Sequence, residues 1–269
     1  MSKKKKKTSV SQIIFRILAL VSLAVLLFAG WKLYGIWSEN HQIAKETEDL
    51  KQYLQSEPAT PAQPGEQPDT TEYFTVDWAG LQAANPNVVA WLAVPGTGIS
   101  YPVVQTTDNT FYLDHSFTGA YNTFGAIFLD CDANPNFMDD NSIIYGHSIS
   151  DVGGMFTALK DYTSLDFFES HPYFWLLTPN QNYRCTVDAF YQGEDGAAIY
   201  TTDFGDYENQ VLQDIYKEAM YTRSLDLAGR HFVTLSTCNL DYGYSSNQRY
   251  VLMGMMEEWN ERIEQSQVD

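Results

Sequence analysis

The chain has 269 residues and a formal net charge of −18, and its 18 Tyr and 15 Phe suit one sizeable packed domain with appendages. Residues 1–37 hold seven basic residues and no acid, which leaves nine basic residues against all 34 acidic ones further on, a net of −25. Such an acidic body excludes a nucleic-acid partner, because nothing in it neutralises phosphates.

Lys3 to Lys7 precede an apolar run from Ile13 to Trp37. Its uncharged centre, Ile17 to Trp31, is short, but Arg16 and Lys32 snorkelling to opposite interfaces extend it to the ~20 residues a bilayer needs. Trp31, Tyr34 and Trp37 form an interfacial aromatic belt. The reading is a basic cytoplasmic tail over 1–12 and an uncleaved transmembrane signal anchor over 13–37. A cleaved signal peptide is the alternative, but Leu27 stands where cleavage before Gly30 wants a small residue. The lysines predict a single-pass protein of the cell membrane, amino end in the cytoplasm and the rest outside. Residues 38–72 read as a stalk and linker, extended by Pro58, Pro61, Pro64 and Pro68. A folded domain is expected over 73–260, with a tail over 261–269.

Within the domain, eight runs read as strands: Val88–Val94, Ile99–Val104, Phe124–Leu129, Ser142–Gly146, Tyr173–Thr178, Tyr183–Gln192, Phe232–Thr237 and Arg249–Met255. Turn signals such as Pro95-Gly96 and Pro179-Asn180 separate several of them. Helices are expected at Asp77–Ala84, with Asp77 as N-cap, at Met155–Tyr162 and at Tyr207–Tyr221. Eight short strands with few helices predict a mainly β fold, an eight-stranded β-barrel with peripheral helices.

The chemistry concentrates in Phe232–Met256. Val233 and Leu235 alternate with Thr234 and Ser236 in a strand that ends at Cys238, and a polar loop leads to a second strand opened by Arg249. Neighbouring strands set the thiol beside a permanent cation, which favours thiolate. His147 ends the apolar run Ile143–Gly146, so it too sits at a strand end. The other histidines fit less well: His41 lies in the stalk, His171 precedes a proline, His115 follows Asp114 in a loop, and His231 opens the cysteine strand, over ~20 Å from its end. Cys131, Cys185 and Cys238 make no disulfide framework and have no metal-ligand spacing with the histidines. Cys131 and Cys185 read as reduced structural thiols, although an extracytoplasmic pair is open to them.

The order His147, Cys238, Arg249, with Tyr145-Gly146-His147 and Thr234-Leu235-Ser236-Thr237-Cys238, resembles the sortases and more narrowly class B. Tyr101–Gln105 followed by Asp108-Asn109, Gly125–Asp130, Met155-Phe156 and the insert Tyr207–Tyr221 add to the resemblance, which covers Trp78 to Met256. It implies a β-barrel cysteine transpeptidase on the outer face of a Gram-positive membrane. Such an enzyme cuts secreted proteins at a C-terminal sorting motif and joins them to an amine of a peptidoglycan precursor or a pilin. It implies Cys238 as nucleophile, His147 as proton-transfer group and Arg249 as electrostatic stabiliser. Ser236, Thr237, Tyr145 and Asn109 become candidates for a substrate groove, each equally compatible with a packing or turn role. No cofactor is implied, and no string of acids resembles a calcium loop. Two other readings compete. One is a tethered β-barrel binding module without catalysis. The other is an L,D-transpeptidase-like wall enzyme, whose Ser-x-Gly-Cys-x-Arg string is not matched here.

Overall fold

The computed structural model describes residues 10–58, 71–149 and 153–269. The lysine block Lys3–Lys7 and the spacer prolines 61, 64 and 68 lie outside these residues. The chain divides into two compact units, one ending at Asp49 and one spanning Leu50–Asp269.

The first unit is helical. Helix α1 spans Val10–Leu50, so the segment read as a stalk continues the helix. Its Ser11–Gly35 stretch, 25 residues of mean hydropathy 2.6, is long and apolar enough to cross a membrane by length and composition. At 1.5 Å per residue that is about 37 Å.

The second unit contains β1 (Leu54–Pro58), β2 (Glu72–Val76), β3 (Val88–Val94), β4 (Ile99–Val104), β5 (Ile127–Leu129), β6 (Asn141–Tyr145), β7 (Tyr173–Leu177) and β8 (Asn182–Glu194). It continues with β9 (Tyr221–Thr222), β10 (Phe232–Cys238), β11 (Gln248–Trp259) and β12 (Ile263–Glu264). Helices α2 (Trp78–Ala84), α3 (Leu165–Ser170) and α4 (Glu208–Glu218) lie between them. The large sheet runs β11-β10-β6-β5-β4-β3-β7-β8, and β8 pairs back to β11, which closes an eight-stranded barrel as expected. β9 is an added edge on β8.

Strand alternation sorts side chains between the barrel interior and its outer face. Leu92, Val103, Ile127, Ile144, Phe174, Val187, Leu235 and Leu252 fill the interior. The outward residues need covers. Phe232, Val251, Met253 and Met255 pack against Leu212 and Ile215 of α4. Trp91 and Trp175 are covered by Leu81 of α2, Phe74 of β2 and Ile263 of β12.

That second cover departs from the expected layout. β1 and β12 form a three-stranded sheet with β2, in stretches read as linker and tail. The near-continuous apolar run of β3 signals burial on both faces, and these terminal strands supply the outer layer. The strand expected from Phe124 begins only at Ile127, because Gly125 turns at φ +60° with its N–H on the Asn122 carbonyl. The helix expected at Met155–Tyr162 is a 3-10 segment over Thr157–Thr163, preceded by Met155 at φ +46°. Asp77 caps α2 as expected, accepting from the Gly80 N–H at 3.0 Å. α4 ends at Glu218 because Ala219 is extended and the Met220 N–H donates to the Phe190 carbonyl.

Candidate active site

Three strand ends build one cleft. β10 runs antiparallel to β11 in a register that makes Cys238 and Arg249 direct cross-strand partners. On its other side β10 runs parallel to β6, with Ser236 opposite Tyr145. The Gly146 N–H donates to the Ser236 carbonyl at 3.2 Å, which carries the ladder one step further. Cys238 and His147 each follow that last registered pair by two residues, so the parallel register brings them level. Because the period of a strand is two, Ser236 and Cys238 share the outer face with Arg249, while Leu235 and Leu252 point into the barrel.

The cleft has a volume of about 410 Å³. Its lining includes all seven candidate residues: Asn109, Tyr145, His147, Ser236, Thr237, Cys238 and Arg249. Leu113, Phe128, Gly146, Asp195, Gly196 and Tyr200 complete its walls.

The imidazole of His147 is held by main chain: Nε2 lies 2.8 Å from the Leu113 carbonyl. With Nε2 donating, Nδ1 is the nitrogen left to accept or pass a proton. The guanidinium of Arg249 is held on two sides. Nη1 donates to the Ser246 and Gln248 carbonyls at 2.9 and 3.0 Å, and Nη2 donates to Asp195 Oδ2 at 2.9 Å.

Around this centre the candidates divide. Ser236 Oγ and the Tyr200 hydroxyl are 2.7 Å apart. Burial pushes the Tyr200 phenol up to about 12, so it stays protonated across the physiological range. Asn109 bridges a loop: Oδ1 accepts from the Cys131 N–H at 2.8 Å and Nδ2 donates to Asp130 Oδ2 at 3.0 Å. The same Asp130 oxygen accepts from the Tyr145 hydroxyl at 3.0 Å. Burial first, then the Asp130 charge, holds the Tyr145 phenol well above its ordinary value. Thr237 is buried and alternates to the other face of β10, with Oγ1 unpartnered among the described residues.

The other histidines take local partners. His115 Nδ1 meets Asp114 Oδ1 at 2.7 Å, His171 stacks on Phe167 at 3.7 Å, His41 stacks on Trp37, and His231 Nδ1 meets the Asp139 carbonyl. All three cysteines are free thiols. Asp130, Cys131 and Asp132 offer ligand atoms within 4.8 Å of one another, a cluster the spacing of Cys with His did not reveal.

A sortase-domain family model matches residues 92–257, more than half of the chain. The chain belongs to the sortase family. It is similar to the sortase B of Listeria monocytogenes serovar 1/2a, at 34% identity over 248 residues that cover 89% of this chain and 95% of that one. Among solved structures, a Bacillus anthracis protein described as similar to sortase B has a TM-score of 0.65 at 28% identity, covering 83% of this chain and 98% of that one. A class B sortase of Streptococcus pyogenes involved in pilus biogenesis has a TM-score of 0.61 at 31% identity, covering 68% and 98%. This sortase is of class B, and it is a cysteine transpeptidase. The readings as a non-catalytic module and as an L,D-transpeptidase-like enzyme therefore fall.

Sequence reasoning missed three parts of this sortase's cleft. Asp195 precedes Gly196 at φ +84° and reads as a turn residue. Tyr200 lies in an irregular stretch without periodicity. The Leu113 carbonyl has no side-chain signature at all.

Proposed function

We propose that Cys238 attacks the scissile carbonyl carbon of a C-terminal sorting motif on a secreted protein. The thiol proton passes to His147, the S–C bond forms, and the peptide C–N bond breaks as the departing nitrogen takes that proton. An amine then attacks the thioester, gives its proton to His147, and releases the sulfur, which recovers the proton. Arg249 cannot lose its own proton and stabilises the oxyanion of each tetrahedral intermediate. Ser236, Tyr145 and Asn109 border the bound peptide, and Thr237 meets it through its main chain.

The observation that supports this most is the double register of β10, which has Arg249 as cross-strand partner of Cys238 on one side and leads to His147 on the other. The acceptor is the amine of a peptidoglycan precursor or of a pilin, and water in its place gives hydrolysis. The full chain in detergent, offered a peptide library and an amine, is expected to yield a joined product and a thioester adduct on Cys238 by mass spectrometry. Undiminished joining by Cys238→Ala, or an adduct confined to Cys131 or Cys185, ends the reading.

α1 crosses the membrane once, amino end inside, followed by a linker and a catalytic domain outside. Seven basic residues and no acid over 1–37 support this orientation. Protease added to intact cells is expected to remove the second unit; its survival there, with digestion only after lysis, refutes the orientation.

A further inference from the structure

The guanidinium of Arg249 has partners of two kinds. The Ser246 and Gln248 carbonyls belong to its own hairpin and move with it. Asp195 comes from a different strand end. That residue is itself fixed: β8 pairs with β11 up to Glu194 opposite Gln248, and the Asp195 N–H extends the ladder onto the Asn247 carbonyl at 2.8 Å.

We propose that Asp195 is a positioning residue that aims Arg249 into the cleft, an inference that rests on the role given to Arg249 above. An arginine side chain has several rotatable bonds to lose on being held. Main-chain acceptors on Nη1 restrain one end of the fork, and the carboxylate on Nη2 fixes its rotation. Three of the five N–H donors are then occupied, which leaves Nε–H and the second Nη2 hydrogen for a substrate oxygen. The side chain of Asp195 is 49% exposed and that of Arg249 22%. Such an open ion pair adds little to stability. Its consequence belongs in turnover, where a misplaced donor is costly.

The test measures kcat, KM and Tm of the full chain in detergent with a peptide selected from the library above. The variants are Asp195→Ala, Asp195→Glu, Arg249→Ala and the Asp195→Ala/Arg249→Ala double. Asp195→Ala is expected to lower kcat about tenfold, short of the ~100-fold or more lost with an oxyanion donor itself. KM should stay within about threefold, Tm within ~2 °C, and Asp195→Glu should recover part of kcat. In the Arg249→Ala background the same substitution should change kcat by less than about twofold, because coupled residues are not additive. Wild-type kcat in Asp195→Ala beside an impaired Arg249→Ala overturns this inference alone, as does an equal loss in both backgrounds. A fully active Arg249→Ala overturns the role of Arg249, and this inference with it.

Discussion

Gly146 separates Tyr145 from His147, and the structure makes a strong demand of it. A Cβ at this position would lie 2.8 and 2.9 Å from Cδ2 and Cγ of Phe156, where ordinary contact begins near 3.4 Å, and would also strike Cδ1 of Ile127. Phe156 is 0% exposed and Ile127 1%, so neither has room to retreat. Gly146→Ala therefore overpacks the barrel rim, at a cost of about 1–3 kcal/mol. Relief of the Phe156 contacts alone requires the end of β6 to shift by about 0.6 Å, the shortfall of the nearer one from 3.4 Å, and the Ile127 contact sets this as a lower bound. A 1 Å misplacement of a reacting group costs ~100-fold, so a shift of this size predicts roughly tenfold lower kcat. At ~2–4 °C per kcal/mol, Tm should fall by several degrees. Peptide joining with excess substrate and calorimetry on the same samples measure both effects. A variant with wild-type Tm and kcat would refute the packing argument, and one with lowered Tm but intact kcat would refute the link to His147.

Three further outcomes are expected. Asp188 is fully buried with both carboxylate oxygens unpartnered among the described residues, and burial holds its carboxyl well above the ordinary value. The folded state thus binds its proton more tightly than the unfolded one. The stabilisation this gives is complete below the unfolded value near ~3.9 and declines as pH rises towards the folded pKa; Asp188→Asn should flatten the loss, and an unchanged slope of Tm against pH refutes it. A truncation beginning at Leu50 should melt higher than one beginning at Thr71, because only the first retains β1 as the partner of β2; equal melting would show that β1 adds nothing. Lys160 and Asp241 pair at 2.7 Å with half-exposed side chains, so Lys160→Met should leave the denaturant midpoint nearly unchanged. A marked fall would mean that this pair is stronger than its exposure allows.

Legibility followed the range of the interactions. β3 and β4 match their expected ends because the apolar runs meet at the Pro95-Gly96 turn, a local signal. The pairing of Cys238 with Arg249 was also legible, since a short loop between two strands leaves little choice. β1 was not: Leu54–Pro58 is polar and ends in proline, and only its partner strand reveals it as sheet. Tyr73–Val76, by contrast, carries aromatic and β-branched residues that do signal a strand, yet none of the eight expected runs includes it. In the cleft, the three chemically distinctive residues stood out, while the groups that hold His147 and Arg249 are main-chain carbonyls and a turn aspartate, and the tyrosine that meets Ser236 lies in an irregular stretch. Their significance arises from barrel closure, which no single stretch encodes.

The parallel pairing of β10 with β6 also bears on how this enzyme comes into being. Phe232 pairs with Asn141, and Thr234 donates to Asn141 across 93 positions of sequence. Contacts of such separation form late, after the entropy of a long loop has been surrendered. Until then the thiol stands apart from the imidazole, although its hairpin partner Arg249 is close in sequence. Completion of that pairing is thus what sets Cys238 level with His147, so a chain still folding carries no assembled cleft.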